Sequence, residues 1–149
     1  MRTALFIGRF QPLHRGHVHA IMSALERYDC LTIAIGSINK RDKKNPYSYS
    51  KRKSMLREAL LGYEDRVRII GIRDTTDAKW VKKIKKIKCD AIISGNDYVW
   101  RLLGEEKLEK PDFLKPKTYN GTRIREKLSR GLPVSNLVPQ AITKMLERK

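Results

Sequence analysis

The chain has 149 residues, and 33 lysines and arginines against 16 aspartates and glutamates give it a formal net charge of +17. Its two cysteines are too few for a disulfide scaffold, and its apolar runs are too short for a signal-peptide core or a membrane span. We therefore expect a cytoplasmic protein whose basic surface attracts polyanions such as nucleotides or nucleic acid.

Apolar spacing predicts alternating strands and helices over the first hundred residues. The predicted strands cover 3–7, 31–35, 67–70 and 91–93, and the predicted helices lie around 18–25, 55–60, 80–87 and 98–103. Ser48 or Ser50 is the candidate N-cap of the second helix. This alternation is typical of an α/β fold in which an open, Rossmann-like parallel sheet carries helices on both faces.

The pattern beyond Pro111 is less regular. A fifth strand is expected near Phe113 or over 117–119, followed by helices around 122–129 and 140–147. Length and the absence of a linker-like segment favour one domain over residues 1–149, with a C-terminal helical extension from about residue 121.

Small residues follow three of the predicted strands. Gly8 ends the first, Gly36 and Ser37 the second, and Gly95 the fourth. Ligands of open α/β sheets bind beyond the carboxyl ends of the strands. We therefore expect the functional site at the edge where these residues lie.

The segment from Gly8 to His17 joins the first strand to the first helix. Gly16 allows a ligand to approach the start of that helix, where unpaired backbone N–H groups favour a bound phosphate. His14 and His17 can both donate hydrogen bonds to such a phosphate. Zinc is the alternative ligand for a His-x-x-His pair, but a zinc site needs a third protein ligand and no Cys, Asp or Glu lies nearby in the sequence. We therefore expect no protein-bound metal.

Residues 8–17, which read Gly-Arg-Phe-Gln-Pro-Leu-His-Arg-Gly-His, resemble the His-x-Gly-His element of the nucleotidyltransferase superfamily. The longer motif is similar to that of the archaeal-type nicotinamide-mononucleotide adenylyltransferases. Residues 45–55, 94–97 and 120–125 resemble three further motifs of that family in the same order. Lys51 stands where the family usually has Glu, and Asn120 where it usually has Ser.

The resemblance implies a nucleotidyltransferase-type fold and adenylyl transfer from ATP to nicotinamide mononucleotide, giving NAD and pyrophosphate. It implies catalytic roles for His14, His17 and Arg125, with Mg²⁺ bound mainly through the ATP phosphates. The implied ATP-binding residues are Gly8, Arg9, Phe10, His14, Gly16, His17, Gly95, Asn96, Thr122 and Arg125. The implied mononucleotide-binding residues are Ile7, Gly36, Ser37, Asp74, Trp80 and a lysine before Pro46, either Lys43 or, preferably, Lys44.

Trp80 has two interpretations. With Ile84 and Ile87 it forms an apolar helical stripe typical of core packing. The resemblance instead places its indole against the nicotinamide ring, and we prefer that role. Other acceptors within the superfamily are nicotinate mononucleotide, FMN and phosphopantetheine.

Two expectations concern partners. The resemblance implies a homo-oligomer. The lysine-rich stretch 79–88 could bind nucleic acid, but we prefer to interpret it as a solvated face. With 7% aromatic residues and no recognisable reader module in the chain, we expect at most non-specific electrostatic binding.

Overall fold

Five parallel strands form one sheet in a computed structural model that describes residues 1–104 and 107–146. The strands are β1 (Thr3–Gly8), β2 (Cys30–Ile35), β3 (Val67–Gly71), β4 (Ala91–Ile93) and β5 (Leu108–Glu109). Their spatial order is β3-β2-β1-β4-β5, so the chain winds outward from β1 first in one direction and then in the other. The reversal places a topological switch point between β1 and β4, where ligands of such sheets bind.

The helices pack on both faces of this sheet. They are α1 (Arg15–Arg27), α2 (Tyr49–Ala59), α3 (Asp77–Lys85), α4 (Asp97–Leu103), α5 (Gly121–Ser129) and α6 (Thr143–Leu146), with a 3₁₀ turn at Gln140–Ile142. Side chains of α1, α2 and α5 share a core with Phe6 of β1. On the other face, α3 and α4 pack against Leu5. The Rossmann-like sheet expected from the sequence is confirmed.

Side-chain caps fix the helix starts. Ser48 Oγ accepts the backbone N–H of Lys51 at 3.1 Å, so Ser48 and not Ser50 caps α2. Asn120 Oδ1 accepts the N–H of Arg123 at 2.8 Å and caps α5. The departure from Ser at position 120 therefore preserves a side-chain acceptor at the helix N-terminus.

The fifth strand was expected in the wrong place. It lies at Leu108–Glu109, where Leu108 pairs with Ile92, while Phe113 and residues 117–119 lie in irregular segments. A two-residue strand is too short to show periodicity, whereas the isolated aromatics near 113 and 119 resembled strand residues. The predicted last helix is divided into the 3₁₀ turn and α6, and its predicted final residue, Glu147, lies outside the described residues.

The C-terminal elements contribute to the same core as α1 and α2. Ile124 of α5 and Ile142 of the 3₁₀ turn are fully buried there, and the turn packs against α2. Within the described part of the chain, no helix is both long enough and apolar enough to cross a bilayer.

We expect Ile142→Ala to lower the free energy of unfolding by about 2–5 kcal/mol, because it leaves a cavity between the C-terminal turn and α2. Leu132→Ala is the matched control, since Leu132 is 40% exposed, and should change stability by less than about 0.5 kcal/mol. Urea denaturation of both variants checks the prediction. Equal stability of the two would contradict the packing of this segment into the core.

Candidate functional site

A cavity of about 580 Å³ opens at the carboxyl ends of the strands, beside the switch point. Nine of the residues implied by the motifs line it: Ile7, Gly8, Arg9, Gly36, Ser37, Asp74, Trp80, Gly95 and Asn96. Parallel strands bring these residues to one edge, because Gly8, Gly36 and Gly95 each lie at or just beyond a strand end. Lys40 and Phe113 also line the cavity and were not expected from the sequence.

The remaining implied residues lie outside the cavity lining. His17 adjoins it, because its ring lies 6.0 Å from that of the lining residue Phe113. Phe10 is 1% exposed and packs 4.8 Å from the His17 ring, so only its backbone can meet a ligand. Lys44 is exposed on the loop after β2.

His14 and His17 fix each other at the start of α1. The backbone N–H of His17 donates to His14 Nδ1 at 3.3 Å, and the N–H of His14 donates to His17 Nδ1 at 3.2 Å. The rings stack with centroids 3.6 Å apart. A neutral imidazole whose Nδ1 accepts must carry its proton on Nε2. Both histidines are therefore set as Nε2–H donors.

Burial keeps this pair neutral. It lowers the pKa of His14 from 6.5 to about 4. Burial, and then repulsion from His14, lower the pKa of His17 well below 6.5. Protonation would also put a proton on each Nδ1, where a backbone N–H already donates. At neutral pH the pair can donate hydrogen bonds to an anion without carrying charge.

Gly16 makes the ring arrangement possible. A Cβ at this position would lie 2.9 Å from the His14 ring and 3.1 Å from Cβ of Tyr119. Any side chain at position 16 would displace the His14 ring from its place at the N-terminus of α1. The glycine of His-x-Gly-His therefore has a packing role here beside its predicted ligand contact.

Arg125 reaches the same turn from α5. Its Nη1 donates to the Gln11 carbonyl at 2.8 Å, and its Nη2 donates to Thr122 Oγ1 at 3.3 Å. A Cβ on Gly121 would lie 2.7 Å from that guanidinium, so glycine leaves the space in which Arg125 folds back. This contact connects the motif at residues 120–125 to the motif at residues 8–17.

Arg52 is a supporting residue that the sequence did not mark as functional. Its side chain is fully buried and donates at 2.8 Å to the carbonyls of Arg9 and Gly36, and at 3.2 Å to that of Ser48. Burial, followed by repulsion from Arg9 and Arg41, lowers its pKa to about 10. The resemblance of residues 51–55 to a family motif contained this residue, but no local pattern indicated burial.

The cavity wall includes the aromatic side chain of Trp80 and the acidic side chain of Asp74. Trp80 is half-buried, packing against the α3 side of the core while also lining the cavity, so its two interpretations are compatible. Asp74 accepts a hydrogen bond from Ser37 at 3.1 Å and pairs with Lys40 at 3.2 Å. Lys40 thus brings a positive charge to the cavity wall, where the sequence favoured Lys44.

Residues 5–127 match the family model described as cytidylyltransferase-like, which defines a nucleotidyltransferase. A nicotinamide-nucleotide adenylyltransferase of Pyrobaculum neutrophilum is 36% identical over 99% of this chain and 88% of its own length. One from Thermococcus onnurineus is 32% identical over 98% and 82%. The chain belongs to this family of adenylyltransferases within the cytidylyltransferase-like proteins.

Solved structures have the same fold. A bifunctional NMN adenylyltransferase/ADP ribose pyrophosphatase from Francisella tularensis, complexed with AMP and a manganese ion, superposes with a TM-score of 0.82 at 29% identity. The match covers 99% of this chain, which spans about half of that protein, 48% of its length. A NadR protein in complex with NAD and AMP-PNP shares the fold at a TM-score of 0.71 and 17% identity.

We expect the nucleotide-free protein to lose stability as the pH falls from about 6.5 to about 4. The unfolded chain then binds protons that folded His14 and His17 do not, whereas above that range both states are neutral. The part due to His14 amounts to about 2–3 kcal/mol. Urea denaturation along this pH range should give a shallower decline for His14→Gln than for the wild type. An equal decline, or one removed by His19→Gln, would contradict the assignment.

Arg52→Met should lower the free energy of unfolding by about 2–4 kcal/mol, because the carbonyls at the ends of two strands lose their donors. Arg57→Met, on the exposed side of α2, is the control and should change it by less than about 0.5 kcal/mol. Chemical denaturation measures both. The interpretation is wrong if the two variants are equally stable.

Proposed function

We propose that this protein transfers the adenylyl group of ATP to nicotinamide mononucleotide, forming NAD and releasing pyrophosphate. The observation that carries the proposal is the two-part site at the switch point. In its first part, the His14–His17 pair presents two Nε2–H donors at a helix N-terminus. The second part is a cavity large enough for a nucleotide, and the Trp80 indole is part of its lining.

The reaction requires little proton chemistry. A phosphate oxygen of the mononucleotide, already ionised at neutral pH, forms a bond to the α-phosphorus of ATP. The bond from that phosphorus to the bridging oxygen breaks, and pyrophosphate leaves with the electron pair. Positioning and stabilisation of the developing negative charge therefore supply the acceleration. The two Nε2–H donors of the histidine pair fit this demand, because they stabilise negative charge without accepting a proton.

The histidines supply uncharged donors to the phosphates of ATP, with His17 directed at the α-phosphate. Their low pKa values mean that substrate meets Nε2–H groups already in place, with no proton to be acquired first. Arg125 supplies a fixed positive charge for the leaving β- and γ-phosphates, and Thr122 beside it a hydroxyl donor. Arg9 and Lys40 add cations along the cavity wall.

The residues of this site fit a magnesium ion that binds mainly through the triphosphate of ATP. Within residues 1–104 and 107–146, no three His, Cys, Asp or Glu side chains converge as a metal-ligand set. Mg²⁺ commonly binds through substrate phosphates with few protein ligands. When bound it would neutralise phosphate charge, while the side chains described above orient the phosphates.

The mononucleotide occupies the Trp80 end in this proposal. Its cationic pyridinium ring stacks on the indole, a favourable aromatic contact. Ile7, Gly36, Ser37 and Asp74 line the space between that ring and the phosphate-binding turn. We further propose that the enzyme works in the cytoplasm as a homo-oligomer, and that its basic surface binds nucleic acid only non-specifically.

Product analysis with ATP and Mg²⁺ tests the proposal, offering nicotinamide mononucleotide, nicotinate mononucleotide, FMN and phosphopantetheine separately. We expect NAD and pyrophosphate from the first, with kcat/KM reduced about 10²–10³-fold in His17→Ala. His19→Ala, on the exposed side of the same helix, is the matched control and should retain activity.

Three results would contradict the proposal. Product from FMN or phosphopantetheine alone would keep the ATP site and overturn the acceptor. No product from any acceptor, together with salt-resistant nucleic-acid binding, would favour a binding protein. Full activity of His17→Ala would overturn the role of the histidine pair.

A further inference from the structure

Asp77 and Tyr98 join two helices at the Trp80 end of the cavity. The Tyr98 hydroxyl lies 2.6 Å from each carboxylate oxygen of Asp77 and donates its proton between them. Asp77 is the first residue of α3 and Tyr98 the second of α4, and these helices pack together. Both side chains line the cavity.

The carboxylate and the indole face the same space. Asp77 precedes Trp80 by three residues on α3, which places the two side chains on one face of the helix. Tyr98 holds the carboxylate in one orientation with a single O–H. A carboxylate can accept about four hydrogen bonds, so acceptor positions remain for a ligand beside the indole.

Asp77 differs from Asp74, the other carboxylate of the cavity wall, in having no ion-pair partner among the described residues. Asp74 is paired with Lys40 at 3.2 Å. Around Asp77, no lysine or arginine nitrogen of residues 1–104 and 107–146 lies within 4.0 Å. Arg101 is the basic group beside the pair, with its guanidinium carbon 5.6 Å from the Tyr98 ring centre. Among the described residues, the Asp77 carboxylate therefore lies at the cavity wall without a lysine or arginine in direct contact.

We propose that Asp77, oriented by Tyr98, determines acceptor specificity by admitting the amide of nicotinamide mononucleotide and excluding the carboxylate of nicotinate mononucleotide. The inference rests on the proposed function and goes beyond it, because it names the residue that distinguishes the amide from the carboxylate on the pyridine ring. An amide offers N–H donors to the free acceptor positions of Asp77, and the pyridinium charge is attracted to it. A ring carboxylate offers no donor and is repelled, so the site disfavours it on both counts.

Asp77→Asn tests the proposal through the ratio of kcat/KM for nicotinamide mononucleotide to kcat/KM for nicotinate mononucleotide. The wild type should use nicotinamide mononucleotide with kcat/KM at least about tenfold above that for nicotinate mononucleotide, as expected for a partly solvated charge pair. Asp77→Asn should reduce that ratio about tenfold, mainly by improving use of the nicotinate form. Asp97→Asn is the matched control, because it removes a neighbouring carboxylate that does not line the cavity, and it should keep the wild-type ratio.

Tyr98→Phe distinguishes the effect of the Asp77 carboxylate's orientation from the effect of its charge. It keeps the carboxylate but removes its hydrogen bond, so KM for nicotinamide mononucleotide should rise severalfold with kcat little changed. The nicotinate form should remain disfavoured. A wild-type ratio near one, an unchanged ratio in Asp77→Asn, or an equal change in Asp97→Asn would overturn the proposal.

Binding measurements distinguish this failure from failure of the proposed function. If the wild type forms no dinucleotide from either mononucleotide, the proposed function fails, and calorimetric titration with each mononucleotide then decides the role of Asp77. Preferential binding of the nicotinamide form that is lost in Asp77→Asn supports it. Equal binding of the two forms, or binding of neither, overturns it.

Discussion

The buried guanidinium of Arg52 is the constraint on which the site depends. Strands β1 and β2 end at the cavity edge, and Arg52 donates there to the carbonyls of Arg9 and Gly36, the residues that follow the two strands. The charge is fully buried, and its desolvation is offset by hydrogen bonds to carbonyls. The Gln11 side chain makes two further hydrogen bonds with the backbone of Tyr47. It accepts the N–H at 2.9 Å and donates to the carbonyl at 3.0 Å. The turn between β1 and α1 is thereby held by hydrogen bonds to Arg52 and Tyr47, which lie outside it.

The polar groups at this turn fall into two kinds, neutral hydrogen-bond donors and permanently charged side chains. His14 and His17 are neutral because they are buried and because each Nδ1 accepts a backbone N–H. Permanent positive charge comes instead from arginine and lysine at the margins, such as Arg125 on α5. Donors fixed before substrate arrives need no reorganisation as charge develops on the phosphates, and such preorganisation is an effective form of electrostatic catalysis.

Sequence patterns predicted the first four strands and the sheet edge at which the cavity opens, because buried strands and the glycines after them leave clear local signals. They could not predict the role of Arg52, since a buried arginine and a solvated one look alike in a basic helix. Lys40 lines the cavity and Lys44 does not, and Asp42 accepts hydrogen bonds from the backbone of Lys44 and Asn45 in the loop between them. The sequence could not predict this, because the loop has no periodic pattern that shows which lysine faces the sheet edge. The short β5 depends on pairing with β4, a tertiary contact without a periodic pattern of its own.

The most direct test of this account is the protonation state of the histidine pair. Nitrogen-15 NMR of the imidazoles, in nucleotide-free protein near neutral pH, identifies which ring nitrogen carries the proton. The account predicts an unprotonated Nδ1 and a protonated Nε2 for both His14 and His17, persisting well below pH 6.5. Imidazolium signals at neutral pH, or a proton on Nδ1 of either ring, would contradict it.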